Sequence, residues 1–437
     1  MSRVDLMSGS RRGRTSVADV VRAIVREPFP LRLTAYDGST LGPQHSDLAL
    51  HVASPLGLRY MLTAPGDLGL ARAYVTNEIQ IAGMDPGDPY DALMSLREGV
   101  QLRRPGPAEI ARLLRGLGAG ALIPPPAPPQ ETLPRWRRAV RQLNPIDRSA
   151  NAIAHHYDVS NAFYERVLGP SMAYTCAVYA MPQDSLEAAQ ERKLELVAAK
   201  LALRPGMRLL DVGCGWGGMV RHAVREHGVT ALGVTLSKEQ ADWAQAAIER
   251  EGLSGRAEVR HLDFRHVPAE QFDAISSIGL TEHLGVRNYP GYFRFLHARL
   301  RENGRLLNHC ITRSDTSVGH RPDAFTDRYV FPDGELAAPG RIVTEIHDAG
   351  FEVQHEENLR RHYALTLAAW SANLRTHWGD CVAEVGEGTA KVWGLYMAGS
   401  RISFETGHLQ LHQLLATKAG PSGATDFPLR PDWSACP

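Results

Sequence analysis

The chain has 437 residues, 43% of them hydrophobic and 22% charged, and its 48 basic and 48 acidic side chains cancel. This is the composition of a soluble globular protein with room for more than one domain, and no apolar run reaches the length a bilayer-spanning helix needs. Cys176, Cys214, Cys310, Cys381 and Cys436 are odd in number and contain no C-x-x-C pair, which argues against a disulfide framework and a structural zinc site and for a reducing cytoplasm.

The opening "MSRVDLMSGSRRGRTS" carries arginines without an apolar stretch, so residues 1–15 read as a disordered leader and not as a secretory signal. Residues 16–115 mix the strand-like runs "LRLTAYDGS" and "DLALHVAS" with the helical run "LGLARAYV", a pattern for a small α+β domain. Residues 116–145 form a Pro/Arg-rich linker, and "PPPAPP", Pro124–Pro129, reads within it as a stiff polyproline spacer. From Gln101 to Ala150 there are nine arginines, no lysine and three acids, a balance of +6. On sequence alone a solvated linker face is the simpler reading of that charge, and a basic surface that rests on anionic lipid headgroups or other phosphates is the functional alternative. No nucleic-acid-binding motif accompanies it.

Residues 146–437 alternate strands with helices. Asp184 and Glu187 have the spacing of a capping box at the start of a helix that stops at Pro205-Gly206. Strand "RLLDVG", helix "GMVRHAVREH", strand "VTALGVT", helix "SKEQADWAQAAIERE" and strand "AEVRHLD" follow. Strand "FDAISSIG", helix "YPGYFRFLHARL" and strand "GRLLNHCIT" complete the series. This rhythm predicts an α/β fold, a doubly wound, parallel-rich sheet covered by helices on both faces.

Between the first of these strands and its helix lies "LLDVGCGWGG", which satisfies G-x-G-x-x-G at Gly213, Gly215 and Gly218. The motif alone is weak. A dinucleotide site expects an acid roughly 20 residues further on, at the end of the second strand, to hold the ribose. That strand ends "GVTLS", with Thr235 at the place, and Glu239 falls inside the next helix. An acid just before the loop, Asp211, points instead to S-adenosylmethionine, whose sulfonium and amino acid end replace the pyrophosphate.

"HHYDVSNAFYERVLGPSMAYTCAVY", "LLDVGCGWGG", "GVTLSKEQ", "SSIGLTEHLGVRNYPGYF", "RLLNHCIT", "YVFPDGEL" and "LRRHYALTLAAW" occur in that order. Together they resemble the cyclopropane-fatty-acyl-phospholipid synthase and mycolic-acid methyltransferase family over roughly 145–418. "IGLTEHLGVRNY" and "NHCIT" look most like the actinobacterial methyltransferases of tuberculostearic (10-methylstearic) acid synthesis. The resemblance implies a Rossmann-like class I S-adenosylmethionine methyltransferase domain. It implies that 16–115 is a lipid-binding domain of the phospholipid-acting members.

By the same resemblance, Tyr174 and Thr175 contact the cofactor, with Thr175 where the family usually has serine. Asp211, Gly213 and Gly215 form its loop, Thr235 and Gln240 reach the ribose, Asp263 and Phe264 hold the adenine, and Ile278 lines the pocket. A cis alkene attacks the sulfonium methyl and leaves a carbocation, which aromatic faces in a dry pocket stabilise. The family's base is bound bicarbonate, and its cradle maps onto Cys176, Glu282, His309 and Tyr363 with the backbone of Ile311. Taken singly, each of these is as well read as ordinary core. Their joint occurrence at strand ends, where open α/β sheets bind ligands, favours the site.

Loss of a proton from the new methyl closes a cyclopropane; loss from a neighbouring carbon leaves a methylene branch. A shift of about 1 Å in the base decides between such outcomes. The subfamily resemblance implies an oleoyl phospholipid substrate and a 10-methylene product. It also implies a flavin- or NADPH-dependent reductase as partner, a homo-oligomer, and a cytoplasmic location at the inner face of the membrane. Rival readings are a cyclopropane synthase, a nicotinamide-dependent dehydrogenase and a non-enzymatic lipid-binding protein.

Overall fold

The computed structural model describes residues 15–133, 160–316, 323–332 and 334–433. Almost all of the expected leader, the linker from 134 onward, the "HHYDV" start of the first family motif, Asp333 of "YVFPDGEL" and Cys436 lie outside the described residues. The chain divides into two compact units, 1–131 with 387–392, and 132–386 with 393–437.

In the first unit, strands β1 (Arg32–Ala35), β2 (Thr40–Leu41), β3 (Ala49–Val52) and β4 (Ile79–Ala82) form a mixed sheet in the order β2-β1-β3-β4. Helices Val17–Ile24, Pro55–Thr63 and Asp67–Val75 belong to the same unit. Leu33, Val52, Ala73 and Ile79 are buried in its core. Each fully buried aliphatic side chain there contributes on the order of 1.5–3 kcal/mol.

The proline run departs from the expected spacer. Pro125 and Pro128 are buried, the Tyr60 hydroxyl donates to the Pro126 carbonyl at 2.9 Å, and Arg72 clasps Glu131 through two hydrogen bonds of 2.6 Å. A segment with Ala127 as its one backbone donor is here fixed from outside, by Tyr60 on a carbonyl and by Arg72 on the Glu131 carboxylate. Residues 116–131 therefore pack as part of the first unit.

The second unit holds β5 (Arg208–Val212), β6 (Thr230–Thr235), β7 (Ala257–His261), β8 (Phe272–Ile278), β9 (Leu300–Arg313), β10 (Glu352–Asn358) and β11 (Leu409–Thr417). Their order is β10-β11-β9-β8-β5-β6-β7. β5 to β9 run parallel, and β11 pairs antiparallel with both β9 and β10. Central parallel strands are buried on both faces, and "RLLDV" and "FDAISSI" are buried almost throughout, their polar Asp211, Ser276 and Ser277 included. Helices Gly218–His227 and Lys238–Arg250 pack against one face, and Tyr289–Arg299 and Pro339–Asp348 against the other.

One helix start differs from the sequence reading. The helix runs Leu186–Leu201, and its N-cap is Ser185, whose hydroxyl accepts from Ala188 N at 3.2 Å. The Asp184 carboxylate turns back to the N–H groups of Ala180 and Met181 and to Arg192, so no Asp184–Glu187 capping box forms. The helix also ends before Pro205: Ala202 adopts φ 52°, and Leu203 N–H returns to the Ala198 carbonyl.

Candidate active site

Parallel strands deliver their C-terminal ends to one edge of the sheet, and loops there can bind a ligand without disturbing the ladder. At that edge lies a cleft of about 380 Å³. All ten residues expected at the cofactor line it: Tyr174, Thr175, Asp211, Gly213, Gly215, Thr235, Gln240, Asp263, Phe264 and Ile278. The size is that of a small-molecule site.

Local chemistry explains the shape of this wall. Gly213 N and Cys214 N both donate to Val234 O, at 2.9 and 3.0 Å, which folds the loop onto β6. The approach is close enough that a Cβ on Gly233 would lie 2.8 Å from Cys214 Sγ. Gly213 has φ 76°, and a Cβ there would meet the Leu280 side chain at 3.1 Å. Asp211 is buried; burial raises its pKa to about 6 against the Ser276 hydrogen bond and the charge of Lys193. Thr235 donates to Gln240 Oε1 at 2.7 Å and accepts from Ser237 N at 3.2 Å, so a neutral pair occupies the place of a ribose-binding acid. Burial raises the Asp263 pKa, but hydrogen bonds from Arg265 outweigh it and hold the carboxylate low. Phe264 meets Tyr292 and Phe295 edge-on, both at 5.2 Å.

The five residues expected at the base stand behind this wall, in two groups. Glu282 and Ile311 meet where β8 stops, and His309 lies in register with the last residue of β8, Ile278. β8 ends at Ile278, so the N–H of Ile311 on neighbouring β9 has no strand to bond; Glu282 Oε1 accepts it at 2.7 Å. Glu282 Oε2 is buried without a partner, and burial lifts the carboxyl pKa to about 7 against the Ile311 bond. His309 Nε2 is likewise buried and unpartnered. Cys176 and Tyr363 form the second group: the Cys176 thiol sits 3.2 Å from the Ala177 carbonyl and 3.8 Å from that of Leu359, which also accepts from Tyr363 N. Burial pushes the Cys176 thiol far up, so it stands protonated.

A relay orders His309. The Lys200 ammonium, fully buried, has only donors; it donates to Gln413 Oε1 at 2.6 Å and pairs with Glu357. Gln413 must therefore turn Nε2 to His309 Nδ1, at 3.2 Å. That nitrogen accepts, so the imidazole proton is on Nε2, a donor facing no protein partner. Burial and the nearby Lys193 and Lys200 charges keep the ring neutral.

Sequence reasoning passed over Lys193, Lys200, Gln413, Trp216 and Tyr396. Lys193 lines the cleft, donates to Thr175 Oγ1 at 3.1 Å, and carries a pKa that burial lowers to about 8. Lys193 and Lys200 are seven apart on one helix face among apolar residues, and that polar intrusion was the available signal. Aromatic rings crowd the same place: Tyr174 lies 5.3 Å from Trp370, 5.7 Å from Trp393 and 5.9 Å from Tyr164.

A mostly parallel seven-stranded sheet with a glycine loop after its first strand is the class I S-adenosylmethionine-dependent methyltransferase fold, and the cleft's residues suit that cofactor. The chain belongs to the mycolic acid cyclopropane synthetase family, whose pattern it matches over residues 145–414. It is 56% identical to a probable fatty acid methyltransferase of Mycobacterium tuberculosis over 96% of this chain and 99% of that one. Cyclopropane-fatty-acyl-phospholipid synthase of Escherichia coli K12 is 33% identical over 61% of this chain and 68% of its own. Mycolic acid cyclopropane synthase CmaA1, solved with SAH and CTAB, superposes with TM-score 0.58 at 32% identity over 62% of this chain and 98% of that one. The protein is an S-adenosylmethionine-dependent methyltransferase.

Proposed function

We propose that this enzyme methylates the cis double bond of an oleoyl chain esterified in a phospholipid and releases a 10-methylene product, with bound bicarbonate as the base. The observation that carries the reading is a pair of buried, unpartnered atoms of opposite character beside a methyltransferase cleft, Glu282 Oε2 and His309 Nε2. A buried acceptor and a buried donor, each without a protein partner, suit a small hydrogen-bonding anion such as bicarbonate. S-adenosylmethionine supplies an electrophilic methyl group when bound, and bicarbonate supplies the proton acceptor.

The chain's own residues account for the rest. Rings of Tyr174, Trp370 and Trp393 offer π faces to a developing carbocation and exclude water. Ile311 N–H aims Glu282, whose raised pKa lets it hold or give a proton near neutrality. His309 donates from Nε2 to an oxyanion.

Methyl transfer to a fatty acyl chain draws support from the relative named a probable fatty acid methyltransferase, which matches nearly the whole chain; the oleoyl substrate and methylene product are the finer part of this reading. A reductase would then act on the methylene product, and the enzyme would work as a homo-oligomer at the cytoplasmic face of the membrane. In the first unit, Leu102, Ile110, Leu122 and Ile123 are exposed in the same stretch as Arg103, Arg104, Arg112 and Arg115, which supports contact with anionic lipid. No helix among the described residues is long and apolar enough to cross a membrane.

Mass spectrometry of fatty acids from a host making the protein, fed oleate and labelled methionine, tests the reading. A labelled chain one CH₂ heavier with an exocyclic double bond is expected. The same mass without a double bond identifies a cyclopropane synthase, and no labelled lipid overturns the substrate.

A further inference from the structure

On the helix face away from the cleft, His222 and His227 of helix Gly218–His227 meet Glu191 and Glu195 of helix Leu186–Leu201. None of the four lines the cofactor cleft. His222 Nε2 stands 3.3 Å from Glu195 Oε2, and His227 Nε2 stands 3.0 Å from the same oxygen. Ligand atoms held tetrahedrally at 2.0–2.1 Å from zinc lie about 3.3 Å apart, so these two separations are close to tetrahedral edges, and all three ligand atoms lie within 4.8 Å of one another.

The second nitrogen of His222 completes the pattern. Nδ1 faces Glu191 Oε1 at 3.2 Å, leaving Nε2 for the shared point. The two do not meet at a hydrogen-bonding angle, but Glu191 is placed to take the Nδ1 proton once Nε2 ligates, the arrangement by which carboxylates support metal-bound imidazoles. His222 is only 2% exposed, yet neither of its ring nitrogens has a hydrogen-bond partner. Glu195 and His227 are 27% and 18% exposed on their side chains, which leaves an entry path and room for a water as fourth ligand. Arg225 approaches Glu191 at 3.8 Å and balances that carboxylate without reaching the ligand atoms.

We propose that Glu195, His222 and His227 form a zinc site, with Glu191 orienting His222. The exclusion of structural zinc from the cysteine pattern does not bear on it, since no thiol takes part. The ion would tie the helix that carries Lys193 to the helix that opens on the glycine loop, and so brace the cleft from behind. Its role is structural, independent of which acyl substrate the enzyme takes.

The full-length protein is stripped with a chelator, returned to excess zinc and desalted. One zinc retained per chain is expected, together with a rise of roughly 5 °C in Tm at a hundredfold excess over Kd. The cobalt-loaded protein should show tetrahedral d–d bands without a thiolate charge-transfer band. His227→Gln, at the solvent edge, should lose retention and the Tm rise while keeping its circular dichroism and SAH binding. Absence of retained zinc, a thiolate band, or equal retention by His227→Gln overturns the site. Should His227→Gln fail to fold, Glu195→Gln is read by the same criteria.

Discussion

Glu282→Gln separates chemistry from stability in one substitution. In the folded protein, burial raises the Glu282 pKa from 4.5 to about 7. A carboxyl with a raised folded pKa holds its proton more tightly when folded, so the unfolded chain binds fewer protons between those values and stability falls as pH rises through them. The cost is absent below the unfolded value and complete above the folded one. A shift of about 2.5 units corresponds to about 3 kcal/mol. Glutamine keeps an oxygen for the Ile311 N–H and places an amide where Oε2 stood, without a charge to desolvate. The variant should therefore be more stable than the parent at pH 8.5, by roughly 5 °C or more in Tm, and nearly equal to it at pH 5. Turnover should fall by about 100-fold or more, since a positioned acid–base group contributes that much. SAH affinity should be unchanged. Thermal denaturation at the two pH values, calorimetric SAH titration and product formation measure all three. Identical pH slopes for parent and variant would refute the buried protonated carboxyl, and normal turnover would refute its role.

Gln413→Glu keeps a partner for Lys200 but offers His309 only acceptors, so the ring proton moves to Nδ1 and Nε2 stops donating. Turnover should drop about 10–100-fold with cofactor affinity intact, and full activity would show that the tautomer is immaterial. Gly213→Ala must hold alanine at φ 76° with its Cβ against Leu280, at a cost of about 1–2 kcal/mol. Urea denaturation and SAH calorimetry should show both a less stable fold and weaker binding; unchanged values would mean the loop relaxes freely.

The sheet's parallel half was legible because each of its elements carries its own period. "GMVRHAVREH" and "YPGYFRFLHARL" became helices within a residue of the reading, and the ten cofactor residues all came to one cleft. What escaped was set by contacts remote in sequence. β10 and β11 are defined by antiparallel pairing with each other and with β9 rather than by a local signal. Gln413 earns its place only across 104 residues from His309, and Lys200 across 213 from Gln413. The capping error at Asp184 was one of frame: the neighbouring Ser185 was equally able to cap and won because Asp184 had Ala180, Met181 and Arg192 to satisfy. The proline run misled because its rigidity is local but its burial is not.

The strand order separates two tasks. Many groups that line the cleft hang from β5, β6, β7 and β8 and their loops, joined by Tyr174, Thr175 and Lys193 from before β5, while Glu282 lies beyond the end of β8 and His309 and Gln413 stand on β9 and β11. Variation can therefore act on one side of β8 without redrawing the other. A lineage that drifts in the antiparallel β10–β11 pair can change the tilt and tautomer of one imidazole and leave the loops after β5 and β6 untouched. In such a scaffold the sheet's antiparallel margin is the place where the environment of His309 can be altered apart from the glycine loop, and mutagenesis of that environment would begin there.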